Sequence, residues 1–308
     1  MEMRRSCVAV FASFPALALA AGDGDFWART ADPGAAEFER AMEAGRALLE
    51  EASVGASPTT ALALLEAEEA FRRAISASPK RHEGWLHLGA TLADLPGREV
   101  EAVDALRRGR ALGGDDVDTR GEAALPLGVL LSKLGRFEES LEEYERVLRA
   151  RIDDQARSVA LANSAEALMA LGRLSEAIER YRRAADIAPP AAPDHDARRG
   201  AWWGLAVALD RDEQIAKAEE AARQGLQLDP QIAYLGHPDV FFVPPGDIHY
   251  YYALGHQAAG QTAQAALRWK QFLAELPDSP WAYRAKQRLA ELAPVALPKA
   301  KAKPGGKR

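Results

Sequence analysis

The chain has 308 residues, 48% apolar and 27% charged, the balance of a soluble protein large enough to bury a sizeable core. A formal net charge of −6 lacks the excess of basic residues that a nucleic-acid backbone binder needs. The single cysteine, Cys7, leaves no pair of thiols for a disulfide, a thiolate zinc site or an iron–sulfur cluster.

At the N-terminus Arg4 and Arg5 precede an apolar run from Cys7 to Ala21. Ala18, Leu19 and Ala20 place small residues at the spacing a signal peptidase reads. This is the pattern of a secretory signal peptide over residues 1–20. The run is too short to span a bilayer, which takes about 20 residues, and Pro15 interrupts it. Export to the periplasm or cell envelope is therefore expected, with no transmembrane segment in the mature chain. Cys7 would leave with the signal. Residues 21–36, rich in Gly, Asp and Ala, are expected to be a linker.

From residue 37 onward the chain repeats itself. Leu161, Ser164, Ala165 and Leu168 share one helical face, followed by Gly172, Ala177, Tyr181, Ala184 and Pro189. Trp202, Leu205, Ala206 and Leu209 begin a second copy, which continues through Ala218, Ala222 and Gly225 to Pro230. Looser copies begin at Trp85, at Ala124 and at His249. A further N-terminal pair joins Glu37–Ser53 to a helix carrying Phe71 and closed by Pro79. Small residues such as Gly128 and Ala165 let the partner helix approach. Gly135 and Gly172 close first helices, and prolines stop the second ones.

This pattern resembles the tetratricopeptide repeat over residues 37–293. The resemblance implies an all-α solenoid of about six helix pairs, with an inner groove lined by the first helix of each pair. Trp281–Ala293 is expected to cap the array. Residues 294–308, with five basic residues and three prolines, are expected to be a disordered tail. The first-helix starts fall at 85, 124, 161, 202 and 249, so the last spacing is 47 against 37 to 41 elsewhere. The excess defines a non-helical insertion at about 231–246. It is expected to run extended at Val240–Val243, with Phe241 or Phe242 packed on a neighbouring helix.

Several groups are candidates for chemistry. His237, His249 and His256, with Asp247, could gather a metal; the alternative is that the helix histidines pack inward. His195, between Asp194 and Asp196, suits a helix cap as well as a ligand. Asp115, Asp116 and Asp118 lack the full spacing of a calcium loop. No nucleophile elbow or phosphate-cradling loop is present. Neither a cofactor nor a metal nor catalysis is implied.

The stronger candidate is the groove. With Trp202 and Tyr252 assigned to packing positions, Trp203, Tyr250 and Tyr251 turn toward the inner face. Asn163 and Glu166 lie one unit earlier, and Val207 and Leu254 add apolar surface. The competing expectation is that these aromatics pack against the insertion. The resulting functional expectation is a non-enzymatic protein- or peptide-binding adaptor of the bacterial envelope. The final unit resembles tetratricopeptide modules of bacterial periplasmic assembly factors. A glycan or peptidoglycan binder using the same aromatics is the alternative. A metal-dependent enzyme or enzyme accessory ranks behind both.

Overall fold

A computed structural model describes residues 34–53, 58–189, 197–237 and 240–292. The expected signal peptide, most of the linker, His195 and the C-terminal tail lie outside these residues. Among them are thirteen α-helices and no strand. In chain order they are α1 (Ala35–Ser53), α2 (Pro58–Ala77), α3 (His82–Ala93), α4 (Glu99–Arg120), α5 (Ala124–Lys133), α6 (Phe137–Arg149) and α7 (Asp154–Ala170). There follow α8 (Leu174–Ile187), α9 (Arg198–Arg211), α10 (Ile215–Leu228), α11 (Ile248–Ala258), α12 (Thr262–Glu275) and α13 (Ala282–Glu291). No helix among the described residues is long and apolar enough to cross a membrane.

Each odd-numbered helix packs chiefly on the even-numbered helix after it, from α1–α2 through α11–α12, and α13 seals the end against α12. First helices also touch along the array, α3 to α5, α5 to α7, α7 to α9 and α9 to α11. The chain is therefore an α-solenoid, in which each pair leaves an apolar face that its neighbour covers. Helix α6 shows the local logic. Leu141, Tyr144 and Val147 form its buried stripe, Glu138 and Glu139 lie in its first turn, and Arg146 and Arg149 in its last. Asp153 caps α7 by accepting the Ala156 amide at 2.7 Å.

Small residues set the approach of the layers. A Cβ on Gly128 would stand 2.5 Å from the Tyr144 ring, and one on Gly204 only 2.2 Å from Tyr181. The turn within the pairs recurs in one form. Arg136 N–H bonds Leu131 O at 2.8 Å and Arg173 N–H bonds Leu168 O at 2.9 Å. The residues before them, Gly135 and Gly172, have φ of 73° and 74°. In α9 the equivalent turn closes with Gln214 N–H on Leu209 O, and there Glu213 holds φ 58° without being glycine. Helix α4 is broken at Gly114 (φ 56°, ψ −139°), so the acidic run follows a kink within the helix, not an open turn. Asp115 is exposed there; the side chains of Asp116 and Asp118 lie outside those described.

Candidate ligand-binding site on the inner face

Asn163 and Glu166 are three residues apart on α7, so they share one helical face. Trp203 of α9 and Tyr251 of α11 reach the same region from the next two first helices. Tyr181 of α8 completes the floor. Its ring lies against α9 because Gly204 has no side chain.

The roof is the insertion. After α10 the Asp229 carboxylate accepts the amides of Ala233 (2.9 Å) and Tyr234 (3.1 Å), and the indole N–H of Trp203 at 3.3 Å. This fixes a 3₁₀ turn at Tyr234–Gly236. Tyr234 settles over Gly200, where a Cβ would stand 2.5 Å from its hydroxyl, and the Arg199 guanidinium lies 4.8 Å from its ring. Phe242 then meets the Tyr251 ring edge-on at 4.8 Å. Phe241 reaches back to α5, where the Lys133 ammonium lies 5.9 Å from its ring. A second 3₁₀ turn, Pro245–Asp247, ends on a buried ion pair between Asp247 and Arg211 at 2.9 Å. Among its described residues the insertion therefore contains two short turns, and both phenylalanines pack inward, each on a different part of the array.

Floor and roof enclose a partly open cavity of about 70 Å³. Among the described residues its one charged lining residue is Glu166. The hydroxyls of Tyr181 and Tyr251 both donate to Glu166 Oε2, at 2.9 and 2.5 Å. Burial pushes the Glu166 carboxyl above the usual range and the nearby Asp247 adds to this. The two hydroxyl donors and Arg211 pull it partly back.

The model of the tetratricopeptide repeat matches residues 122–151 and 159–190, the segments that hold α5 with α6 and α7 with α8. These two segments carry tetratricopeptide repeats. Among solved structures the solenoid is similar to PilF of Pseudomonas aeruginosa, with a TM-score of 0.53 and 13% identity over 84% of this chain and 99% of that one. It is also similar to a MamA protein (TM-score 0.51, 18% identity, 65% and 96% covered) and to MamA of Desulfovibrio magneticus RS-1 (TM-score 0.51, 17% identity, 64% and 97% covered). At these identities the likeness speaks for the fold. Comparison with curated proteins returned no match.

Within the solenoid the expected groove residues are placed differently from the sequence expectation. Trp203, Tyr250, Tyr251, Glu166, Val207 and Leu254 are all buried, with exposures from 0 to 6%. Trp202 and Tyr252, expected in the core, are half-buried, as is Asn163. The inner face is not open here, because the insertion covers it. Nine consecutive residues of α9, Trp203 to Arg211, are buried. A helix covered on all sides has no groove stripe. Asn163, Glu166, Trp203 and Tyr251 nevertheless converge on the cavity. Tyr250, Val207 and Leu254 belong to the core behind it.

Tyr250 has a different task. Its hydroxyl donates to Asp210 Oδ2 at 2.6 Å, and its ring meets Trp269 and Phe272 edge-on at 4.6 and 5.2 Å. Asp210 is fully buried. It also accepts Arg284 Nη2 and Arg288 Nε, both at 2.8 Å. Burial alone would raise this carboxyl; the two guanidiniums overcome that and hold it below its ordinary value. Neighbouring Arg211 is also buried, its guanidinium 4.7 Å from the Tyr250 ring. This network ties α13 to α9 across α11. Sequence reasoning missed it, although charged Asp210 and Arg211 directly follow the wholly apolar stretch Ala201–Leu209.

The histidines separate. His249 Nε2 meets Glu275 at 2.9 Å and its Nδ1 faces Arg268 at 3.3 Å. His256 Nδ1 meets Gln261 at 2.6 Å, and Asp247 is engaged with Arg211. Among the described residues no cluster of His, Cys, Asp or Glu could hold a metal ion.

Proposed function

We propose that this chain is a non-catalytic adaptor of the bacterial cell envelope that binds a protein or peptide partner on the inner face of its solenoid. The observation that carries the reading is the occupancy of that face. The chain's own segment at residues 240–244, outside regular structure, lays Phe241 and Phe242 along first helices and leaves a cavity beneath them. A face that receives an irregular, aromatic-bearing segment of its own chain suits a partner peptide of similar character. Export rests on the signal-like residues 1–20. The glycan alternative relied on Trp203, Tyr250 and Tyr251 standing open as stacking platforms. Their burial removes that basis.

The test is partner capture from envelope extract with the full chain beside Asn163→Ala and Phe242→Ala. Both positions line the cavity without forming the deep core. Loss of a partner in either variant is expected. Equal recovery of every partner by all three proteins would remove the reading. Trp203→Ala and Tyr250→Ala do not serve here, because truncating a fully buried aromatic costs about 3–5 kcal/mol and would report folding.

A further inference from the structure

The roofed cavity combines three features that the adaptor reading does not use. Glu166 is buried, yet only its Oε2 is engaged. Tyr181 and Tyr251 both donate to that oxygen, and Oε1 takes no hydrogen bond from a described residue. An oxygen of a mostly buried carboxylate that is left open can accept a donor from a ligand. Among the described residues no lysine or arginine lines the cavity. Two buried cations stand nearby, Arg211, paired with Asp247 at 2.9 Å, and Arg199, whose guanidinium lies 4.8 Å from the Tyr234 ring. Finally, the walls are aromatic: Tyr181, Trp203, Tyr234, Phe241, Phe242 and Tyr251 all line the space.

A lone anionic acceptor inside an aromatic enclosure selects for one ligand chemistry. An anion would meet the Glu166 charge without a compensating donor. A neutral polyol would find few partners besides Asn163 and Glu166 and would lose hydration at the rings. An ammonium gains from both, since the carboxylate meets its charge and N–H groups while ring faces attract the cation electrostatically. The free volume of about 70 Å³ holds roughly five water-sized groups at ~10–15 Å³ each. That suits an ammonium with a short alkyl stem.

We propose that this cavity binds an alkylammonium ion, with Glu166 as counter-ion and the surrounding aromatic rings as its enclosure. Two sources carry that chemistry, the lysine side chain of a bound partner segment and a free alkylamine. The lysine source rests on the adaptor reading; the site itself does not. Where Glu166 is protonated in the empty site, binding would also displace that proton. Around Glu166 stand Tyr181 from α8, Arg211 from α9, Asp247 from the insertion and Tyr251 from α11, and in the empty site burial favours the neutral acid. A cation reverses that preference, so affinity should strengthen as pH rises through the titration of Glu166.

The experiment is titration of the full chain with n-butylammonium and with a blocked tripeptide carrying a central lysine. Butyrate and n-butanol are the controls. Binding is followed by calorimetry and by the fluorescence of Trp203, which lines the site. Expected are one site per chain, a Kd below about 1 mM for at least one ammonium, and no response to either control. Glu166→Gln keeps an acceptor for the two tyrosines and should weaken ammonium binding at least tenfold without lowering Tm. Phe242→Leu keeps apolar volume, loses a ring and should weaken it about threefold. Tighter binding of the tripeptide assigns the site to a partner lysine, and equal or tighter binding of butylammonium assigns it to a free amine. No binding of either ammonium up to about 10 mM, or undiminished binding by folded Glu166→Gln, overturns the proposal. Partner capture that persists while ammonium binding is absent removes this site alone. Ammonium binding that persists without partner capture removes the adaptor reading alone.

Discussion

Replacing Asp210 by alanine takes the shared acceptor from three buried side chains at once. Tyr250 loses a 2.6 Å bond, Arg284 loses contacts at 2.8 and 3.2 Å, and Arg288 loses one at 2.8 Å and a shorter second contact. Each guanidinium keeps one partner on its own helix, Gln287 for Arg284 at 3.1 Å and Glu291 for Arg288 at 3.2 Å. A stranded hydroxyl and two stranded charges would sum to roughly 3–9 kcal/mol at about 1–3 each. Those remaining partners, and the position of α13 at the end of the described array, let part of the loss relax. The expected cost is therefore about 3–5 kcal/mol, the usual range for breaking a buried ion pair. In a solenoid the damage stays near its origin, so α13 should detach before the N-terminal pairs feel it. Urea titration gives the size, and hydrogen exchange resolved by segment gives the place, with amides of 282–291 losing protection while those of α3 and α4 keep theirs. Unchanged protection in α13 with a stability change under about 1 kcal/mol would refute the assignment. A triple variant, Asp210→Leu with Arg284→Met and Arg288→Met, should recover most of the loss, because the penalty comes from uncompensated charge. The pH dependence has a definite sign. Asp210 is depressed in the folded state, so its contribution is complete above its unfolded value of about 4 and is lost as pH falls through the lower folded value.

Glu213→Gly should raise stability by about 1 kcal/mol in thermal denaturation, because Glu213 holds φ 58° where the equivalent turns use glycine. Gly204→Ala should lower stability by about 1–3 kcal/mol despite better helix propensity, since its Cβ would stand 2.2 Å from Tyr181. Gly135→Ala, with open space around its Cβ, should lose about 1 kcal/mol through its φ of 73° alone. Urea midpoints of both variants check the two mechanisms. His87 stacks on Phe71 with ring centroids 5.1 Å apart, and burial, with a smaller push from Arg46, lowers its pKa to about 4. Its neutral form is favoured by the fold, so the contribution is complete above pH ~6.5 and is lost as pH falls toward 4. His87→Phe should flatten the stability profile across that window, as read from urea midpoints at several pH values.

The helix pairs were legible because their signals are local. Tyr144 and Tyr181 recur at one spacing from small residues, Gly135 and Gly172 mark the turns, and Pro79, Pro189, Pro230 and Pro277 stand just beyond second helices. The long interval before residue 249 located the insertion for the same reason. The site was half legible. Asn163, Glu166, Trp203 and Tyr251 do meet at one place, but as the walls of a covered cavity and not as an open groove. A repeat register states which positions face a neighbouring helix. It does not state what lies on the remaining face, and here that was decided by a segment from 231–246 folding back as far as Lys133 on α5. The uncharged run Ala201–Leu209 carried the available hint, since a helix apolar on every side must be buried on every side. Asp210 and its two arginines are 74 and 78 residues apart, a distance at which no periodicity pairs charges. Local spacing determined the helices and their turns. Only the tertiary structure decided which of their faces are closed and which charges meet, because both depend on contacts between segments far apart in the chain.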